Sequence, residues 1–143
     1  MKISTLLARK GTSVATITGD ATISEAVAEL GSHGIGALVV SADGEHIEGI
    51  LSERDVVRGL ANRGSELLDE PVSSIMTSTV FTCGPDDDTE SLMAVMTERR
   101  FRHVPVAIDG ALSGIVSIGD VVKSRIDELE KDRRELTDYI NAR

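Results

Sequence analysis

The chain carries one short motif twice. The segment from Gly49 to Val57 reads glycine, two aliphatic residues, serine, any two residues, aspartate and two valines, and the segment from Gly114 to Val122 repeats that order. A duplicated unit that is too small to close its own core packs against its twin. The groove between two such halves is a natural place for a small ligand. The repeat therefore predicts one module built from two similar halves, with a candidate binding groove between them.

The residues around the motif predict the same order of elements in each half. Apolar side chains recur at helical spacing from Ile23 and again from Thr89. A short aliphatic run, an Asp-Gly turn at 43–44 or 109–110, and a second apolar run follow each helix, as in a β-hairpin. We therefore predict an α+β fold of two β-α-β-β-α repeats. The predicted units are residues 1–67, the first repeat with an N-terminal segment, residues 68–124, the second repeat, and residues 125–143, a C-terminal helix.

The C-terminal helix carries a narrow apolar stripe. Beyond Asp120 the chain has no glycine or proline, and its apolar side chains follow a spacing close to a heptad, interrupted at Arg133. Such a stripe on a highly charged helix is typical of a seam against another helix. Dimerisation is one interpretation, and folding of the helix back onto its own module is the other. The stripe consists of Val122, Ile126, Leu129, Leu136 and Ile140.

Composition argues against several classes of partner and site. A formal net charge of -9 repels nucleic acid and anionic membranes. Cys83 is the single cysteine, so no intrachain disulfide forms, and no apolar run is long enough to span a membrane. His33, His46 and His103 lack metal-ligand spacing, and no catalytic triad is evident. Without a signal-peptide pattern, we expect a cytoplasmic protein that is not an enzyme, with no metal, no required cofactor, no nucleic acid and no membrane as partner.

Each copy of the motif places a serine at a strand end and an aspartate in the first turn of a helix. Ser52 with Asp55, and Ser117 with Asp120, bring a hydroxyl, a carboxylate and free backbone N–H groups to one helix N-terminus. An ionised carboxylate can accept hydrogen bonds from the two hydroxyls of a ribose, and N–H groups can face a phosphate. The same spacing is also that of a helix-capping pair. Both interpretations stay open at this point.

Together these features resemble a tandem pair of CBS domains, the module named after cystathionine β-synthase, in its small stand-alone bacterial form. The resemblance covers nearly the whole chain and lies in residues 34–40, 52–55, 101–106 and 117–120. It implies two pseudo-symmetric repeats, a disc-like homodimer, and clefts that bind adenosine-containing ligands such as AMP, ATP, NAD or S-adenosylmethionine.

The resemblance also implies roles for particular residues. Asp55 and Asp120 are expected to hold ribose, with Ser52 and Ser117 near the ribose and phosphate. Arg102 is expected to face a phosphate beside Asp120, and because Gly36 stands at its position in the first half, we rank the Asp120 cleft first. As an alternative, Arg99, Arg100 and Arg102 are a solvated helix end. The Asp120 cleft is completed by Ser117, Gly119, Arg102, Ala8, Lys10, Val14, Ile35, Gly36 and Ala37. The Asp55 cleft is completed by Ser52, Arg54, Thr77, Val80, His103 and Pro105.

These expectations combine into one functional hypothesis and one competitor. The first is a dimeric regulatory module that binds an adenine nucleotide between its repeats and passes the signal to a downstream protein that the sequence does not identify. The second is a ligand-free interaction protein that dimerises through the C-terminal helix, with both Ser/Asp pairs acting only as caps.

Overall fold

The computed structural model describes residues 1–142 and shows two similar halves preceded by a short helix. Helix α1 is Ile3–Lys10. The first half consists of β1 (Thr16–Ile17), α2 (Ile23–His33), β2 (Ala37–Val40), β3 (Gly49–Ser52) and α3 (Glu53–Arg63). Two 3-10 turns, Gly64–Asp69 and Val72–Ser74, lead into the second half, which consists of α4 (Thr89–Arg99), β4 (His103–Ile108), β5 (Ala111–Ser117) and α5 (Ile118–Asn141).

The two small sheets differ at their first strand. In the first half, β1 pairs in parallel with β2, and β2 pairs antiparallel with β3. In the second half, β4 pairs antiparallel with β5, and the expected first strand is reduced to a bridge between Cys83 and Val106. The reason is Pro105, which stands where Val39 of β2 donates its N–H to Ala15 and which has no N–H to donate. The backbone nitrogen of Pro105 thus lies on the edge of β4 that faces away from β5.

Both predicted Ser/Asp pairs form capping boxes. Ser52 accepts a hydrogen bond from the Asp55 N–H at the start of α3, and the Asp55 carboxylate accepts one from the Ser52 N–H. Ser117 and Asp120 repeat this arrangement at the start of α5. The repeated motif therefore begins two helices in the same way, one in each half.

Each half closes its core with a segment from elsewhere in the chain. Helix α1 precedes the first half in sequence, but its buried Ile3, Leu6 and Leu7 pack in the core of the second half. Val72, which precedes the second half, is buried in the core of the first, with Met76 packed against it. The N-terminal segment that we grouped with residues 1–67 thus belongs by its packing to the other half.

The glycine at the start of each repeated motif permits this exchange. A Cβ atom on Gly49 would lie 2.6 Å from the sulfur of Met76, and one on Gly114 would lie 3.0 Å from the side chain of Leu7. Real side-chain contacts at these distances force a neighbour to move. The two glycines therefore let the exchanged segments reach the sheets.

Helix α5 continues through Arg125 without a break, so the segment predicted over 125–143 is the second part of this helix, apart from Arg143, which lies outside the described residues. Val121 and Ser124 are buried near its start, whereas the later apolar side chains are exposed. Among the helices in residues 1–142, none combines the length and apolar character needed to cross a bilayer.

Candidate functional site

A cavity of about 690 Å³ opens between the two halves. Its walls come from the start of α3, the start of α5, the turn between α4 and β4, and the segment around Thr77 to Phe81. This volume is within the roughly 300–1,000 Å³ range of small-molecule sites. At each helix N-terminus the backbone N–H groups of the first and third residues already donate hydrogen bonds, which leaves those of Arg54 and Gly119, both in the cavity lining, to favour an anionic ligand.

Asp55 is the carboxylate that faces this cavity at the start of α3. Its Oδ2 accepts hydrogen bonds from the Ser52 N–H at 2.9 Å and from the Ser52 hydroxyl at 3.0 Å. Within residues 1–142, no hydrogen bond to its Oδ1 occurs. The capping box thus uses one oxygen and holds the carboxylate in place, while the other oxygen remains available. Capping and ligand binding are compatible here, because they need different oxygens.

Five arginines line the cavity. Arg54 and Arg58 lie one turn apart on α3. Three more lie at the end of α4 and just after it: Arg99 is the last residue of the helix, and Arg100 and Arg102 follow in the turn before β4. Elsewhere the chain pairs arginines with acids, as in the ion pairs of Arg63 and Arg125, but across the described residues none of these five forms an ion pair. We call this group the arginine set.

The backbone at Arg100 is unusual. Its φ of 60° is in the left-handed region, at the C-cap of α4. Gly34 has the same conformation at the C-cap of α2, where a glycine adopts it without steric cost. Holding a side chain other than glycine there costs of order 1 kcal/mol. The second half therefore keeps an arginine at the cavity at the expense of backbone strain.

His103 lines the cavity at the start of β4. Burial, with the nearby charges of Arg102 and Lys10, lowers the pKa of this imidazole and favours its neutral form. A Cβ atom on Gly36 would lie 3.0 Å from the His103 ring and 2.8 Å from Glu53 Oε1. The absence of a side chain at Gly36 thus leaves room where the two hairpins meet.

Two aromatic rings form an apolar wall of the cavity. The centroids of Phe81 and Phe101 are 5.8 Å apart, and the Arg99 guanidinium lies 5.5 Å from the centroid of the Phe81 ring. A cation at this distance from a ring face is attracted to it. The phenylalanines therefore help to position one member of the arginine set.

Asp120 has a different environment. Its Oδ2 accepts a hydrogen bond from Lys10 Nζ at 2.5 Å in addition to that from the Ser117 N–H. Lys10 also donates to the Ile115 carbonyl, at 2.5 Å. Partial burial alone would raise the pKa of Asp120, but the hydrogen bonds from Lys10 and Ser117 outweigh it and hold this pKa below its usual value. An internal cation thus neutralises the second carboxylate.

The first half has no such cation. There Ile50, the counterpart of Ile115, exchanges backbone hydrogen bonds of 2.9 and 3.0 Å with Thr77. The carboxylate of Asp55 is left without a cationic partner in the part of the chain that the structure describes. The two clefts are therefore unequal, and the open one is at Asp55.

The structure brings together residues that the sequence assigned to both clefts. Those that line the cavity are Gly36, Ser52, Arg54, Asp55, Thr77, Val80, Arg102, His103, Ser117 and Gly119. Other predicted residues do not line it: Ala8, Lys10, Val14, Ile35, Ala37, Pro105 and Asp120. Ile35 packs against the core of the first half, and Ala37 and Pro105 are buried in strands.

Sequence analysis missed several lining residues. Arg58, Phe81 and Phe101 had no assigned role, and Arg99 and Arg100 were considered only as a solvated helix end. The sequence signal for the arginines is the run of cations from Arg99 to Arg102. The matching first-half residues, 33–36, include two glycines.

The CBS domain family model matches this chain over residues 10–62 and 72–127. The chain therefore belongs to the CBS-domain family, and the predicted tandem pair with its α+β fold is confirmed. The CBS domain-containing protein CBSX3, mitochondrial, of Arabidopsis thaliana is 36% identical over 129 residues, which are 87% of this chain and 63% of that protein. The chain thus spans less than two thirds of that relative.

Solved structures share the architecture. The CBS-domain-containing protein ATU1752 from Agrobacterium tumefaciens is 48% identical, with a TM-score of 0.84 over 87% of this chain and 99% of that chain. The CBS domain protein PAE2072 from Pyrobaculum aerophilum, solved in complex with AMP, is 30% identical, with a TM-score of 0.73 over 84% of this chain and 89% of that chain. A similar fold in that neighbour accommodates an adenine nucleotide.

Proposed function

We propose that this chain is a regulatory module that binds an adenine nucleotide in the cavity at Asp55. The observation that carries the proposal is the meeting of a fixed carboxylate, two helix N-termini and five arginines, none of which forms an ion pair within residues 1–142, in one cavity of about 690 Å³. These are the groups that a ribose and a phosphate require. The AMP complex of the related CBS protein supports the choice of an adenine nucleotide.

Different residues of the cavity bind the ribose, the base and the phosphate. Asp55 Oδ1 accepts hydrogen bonds from the ribose hydroxyls, while Oδ2 stays in the capping box. The side chains of Ile50, Thr77 and Val80, which line the cavity, contact the base. The arginine set faces the phosphate. Asp120 takes the corresponding role in a second cleft only when Lys10 leaves it.

Occupancy regulates by holding the halves in one arrangement. The cavity is lined by both halves, so a bound nucleotide contacts α3 of the first and the α4–β4 turn of the second. A ligand that binds only the folded state stabilises it by about 2.7 kcal/mol at 100 times its dissociation constant. A partner protein responds to the difference between the free and bound arrangements. The role is regulatory and involves no catalysis.

We also propose that the active form is a homodimer that uses α5. Ile126, Leu129, Leu136 and Ile140 are between 50% and 61% exposed on one side of this helix. This exposed stripe equally favours the second candidate function, a ligand-free dimerising protein. The two candidates differ in whether any nucleotide binds.

Thermal unfolding in the presence of AMP and ATP tests the proposal. We expect either nucleotide to raise the midpoint of the wild-type protein, and Asp55→Asn to reduce that shift strongly. Asp120→Asn is the matched control, because it changes the equivalent capping residue that Lys10 already neutralises, and it should keep most of the shift. A wild-type midpoint that neither nucleotide changes would refute nucleotide binding and favour the ligand-free protein.

A further inference from the structure

The charge of the cavity defines the class of nucleotide. Resting on the proposed function, we infer that the site selects adenosine di- and triphosphates over AMP and over adenosyl ligands without phosphate. The arginine set is the reason. Five guanidinium groups exceed what one phosphate needs, since a single arginine binds a phosphate with two parallel hydrogen bonds.

The balance of charge supports a polyphosphate. Among the lining residues, the five arginines stand against two carboxylates, Glu53 and Asp55, and His103 is held neutral, so the lining carries a net charge of +3. A phosphate monoester carries about two negative charges, and each added phosphate adds about one more. ADP, with about three negative charges, therefore neutralises this lining and ATP exceeds it by about one charge, whereas AMP leaves it with about one positive charge. A ligand with a cationic sulfonium group in place of phosphates is repelled.

The placement of the arginines fits an extended chain of phosphates. Arg54 and Arg58 project from successive turns of α3, and the other three come from the end of α4 and the turn that follows it, in the other half. Cations on two separate walls can bind successive phosphates of one ligand. AMP has a single phosphate to share between them.

Strain at Arg100 is independent evidence that the charge is functional. The left-handed backbone there is ordinary for glycine, which the first half uses as Gly34, but strained for arginine. The turn after α2 in the first half also has Gly36 at the position that Arg102 occupies in the second half. The first-half turn folds without a cation at either position, so the fold itself does not require them.

The arginine set is a local concentration of positive charge in an acidic protein. The chain has a net charge of -9, and an acidic protein repels a polyphosphate unless cations are concentrated locally. The five arginines lie together and, within residues 1–142, lack acidic partners. Their mutual repulsion is unfavourable in the free protein and is relieved by a multiply charged anion.

Isothermal titration calorimetry with ATP, ADP and AMP tests this inference. We expect the affinity for ATP to exceed that for AMP by about tenfold or more, equivalent to about 1.4 kcal/mol. The affinity for ATP should also fall more steeply with added salt. The double substitution Arg54→Gln with Arg58→Gln should lower the affinity for ATP to about that for AMP. If that protein does not fold, Arg99→Gln with Arg102→Gln tests the arginines of the other wall in the same way. Lys123→Gln with Arg134→Gln removes the same charge outside the cavity and should leave the ratio unchanged.

The outcomes separate this inference from the proposed function. Equal affinities for ATP and AMP would overturn the polyphosphate selection and leave nucleotide binding intact. No heat with any of the three would overturn the proposed function itself. A control pair that lowers the ratio as much as Arg54→Gln with Arg58→Gln would assign the effect to net charge and contradict a role for the cavity arginines.

Discussion

Lys10 Nζ lies 2.5 Å from Asp120 Oδ2, and this contact makes the two halves of a repeated fold unequal. The lysine comes from the helix before the first repeat, and the aspartate begins the last helix. Asp55, the counterpart of Asp120, forms no ion pair within the described chain and faces the open cavity instead. The asymmetry rests on a contact across 110 positions of sequence.

Replacing this lysine should lower stability in a pH-dependent way. Lys10→Met removes a partly buried ion pair, and we expect a loss of about 1 kcal/mol in the free energy of unfolding near neutral pH. Because the pKa of Asp120 is lowered in the folded state, the pair stabilises the protein above the unfolded pKa of about 3.8, and its contribution disappears as the pH falls through the lowered value. Urea unfolding at several pH values measures this.

Lys2→Met is the matched control for that experiment. Lys2 pairs with Asp86 at 3.8 Å, but both side chains are largely exposed, so the pair contributes little. A Lys10→Met protein as stable as the wild type at neutral pH would contradict the account, as would a deficit of equal size at about pH 2 and about pH 7.

Substitution at Arg100 should separate stability from binding. Arg100→Gly relieves the left-handed strain, and we expect it to raise the free energy of unfolding by about 0.5–1 kcal/mol while it weakens ATP binding. Arg99→Gly removes the same charge from the helix and should destabilise by about 1 kcal/mol. Denaturant unfolding and calorimetry compare the pair. An Arg100→Gly protein less stable than wild type would show that the arginine conformation is not strained.

Nucleotide affinity should depend on the protonation of His103. Burial and the charges of Arg102 and Lys10 lower its pKa in the free protein, whereas bound phosphates raise it, so binding takes up a proton. We expect the affinity of wild type relative to His103→Gln to increase as the pH falls from about 8 to about 5. In the free protein the sign for stability is opposite: because the pKa of His103 is lowered in the folded state, wild type loses stability relative to His103→Gln as the pH falls from 6.5 through that lowered value. If the nucleotide affinities of wild type and His103→Gln changed with pH in the same way, His103 would not take up the proton on binding.

The exposed stripe of α5 predicts a change of oligomeric state. Leu129→Lys with Leu136→Lys places charges on the stripe, and we expect sedimentation equilibrium to show a shift from dimer towards monomer. Lys131→Ala changes an exposed side chain on the same helix and should leave the dimer intact. A wild-type protein that sediments as a monomer would contradict the proposed homodimer.

The fold followed from local signals because the repeat duplicates them. Helical spacing from Ile23 and Thr89, the Asp-Gly turns, and the Ser-x-x-Asp spacing that forms both capping boxes are all readable over a few residues. The reduced first strand of the second half was also implicit in Pro105, whose missing N–H removes a ladder bond.

The ranking of the clefts did not follow from sequence. It depends on which carboxylate the Lys10 side chain contacts. Lys10 contacts Asp120 because α1 packs in the core of the second half rather than the first. Local patterns do not reveal such an exchange of segments. Arg102, which was assigned to the Asp120 cleft from its register, lines one cavity together with Asp55 and with Ser117 and Gly119 of that cleft.

Amide NMR of the 15N-labelled protein during titration with ATP locates the bound nucleotide directly. We predict the largest chemical-shift changes at Glu53 to Asp55 and at Arg100 to His103, which line the two walls of the cavity. Lys10 and its neighbours in α1 should change little. Large changes confined to α1 and the Asp120 region, with none at Asp55, would contradict the account.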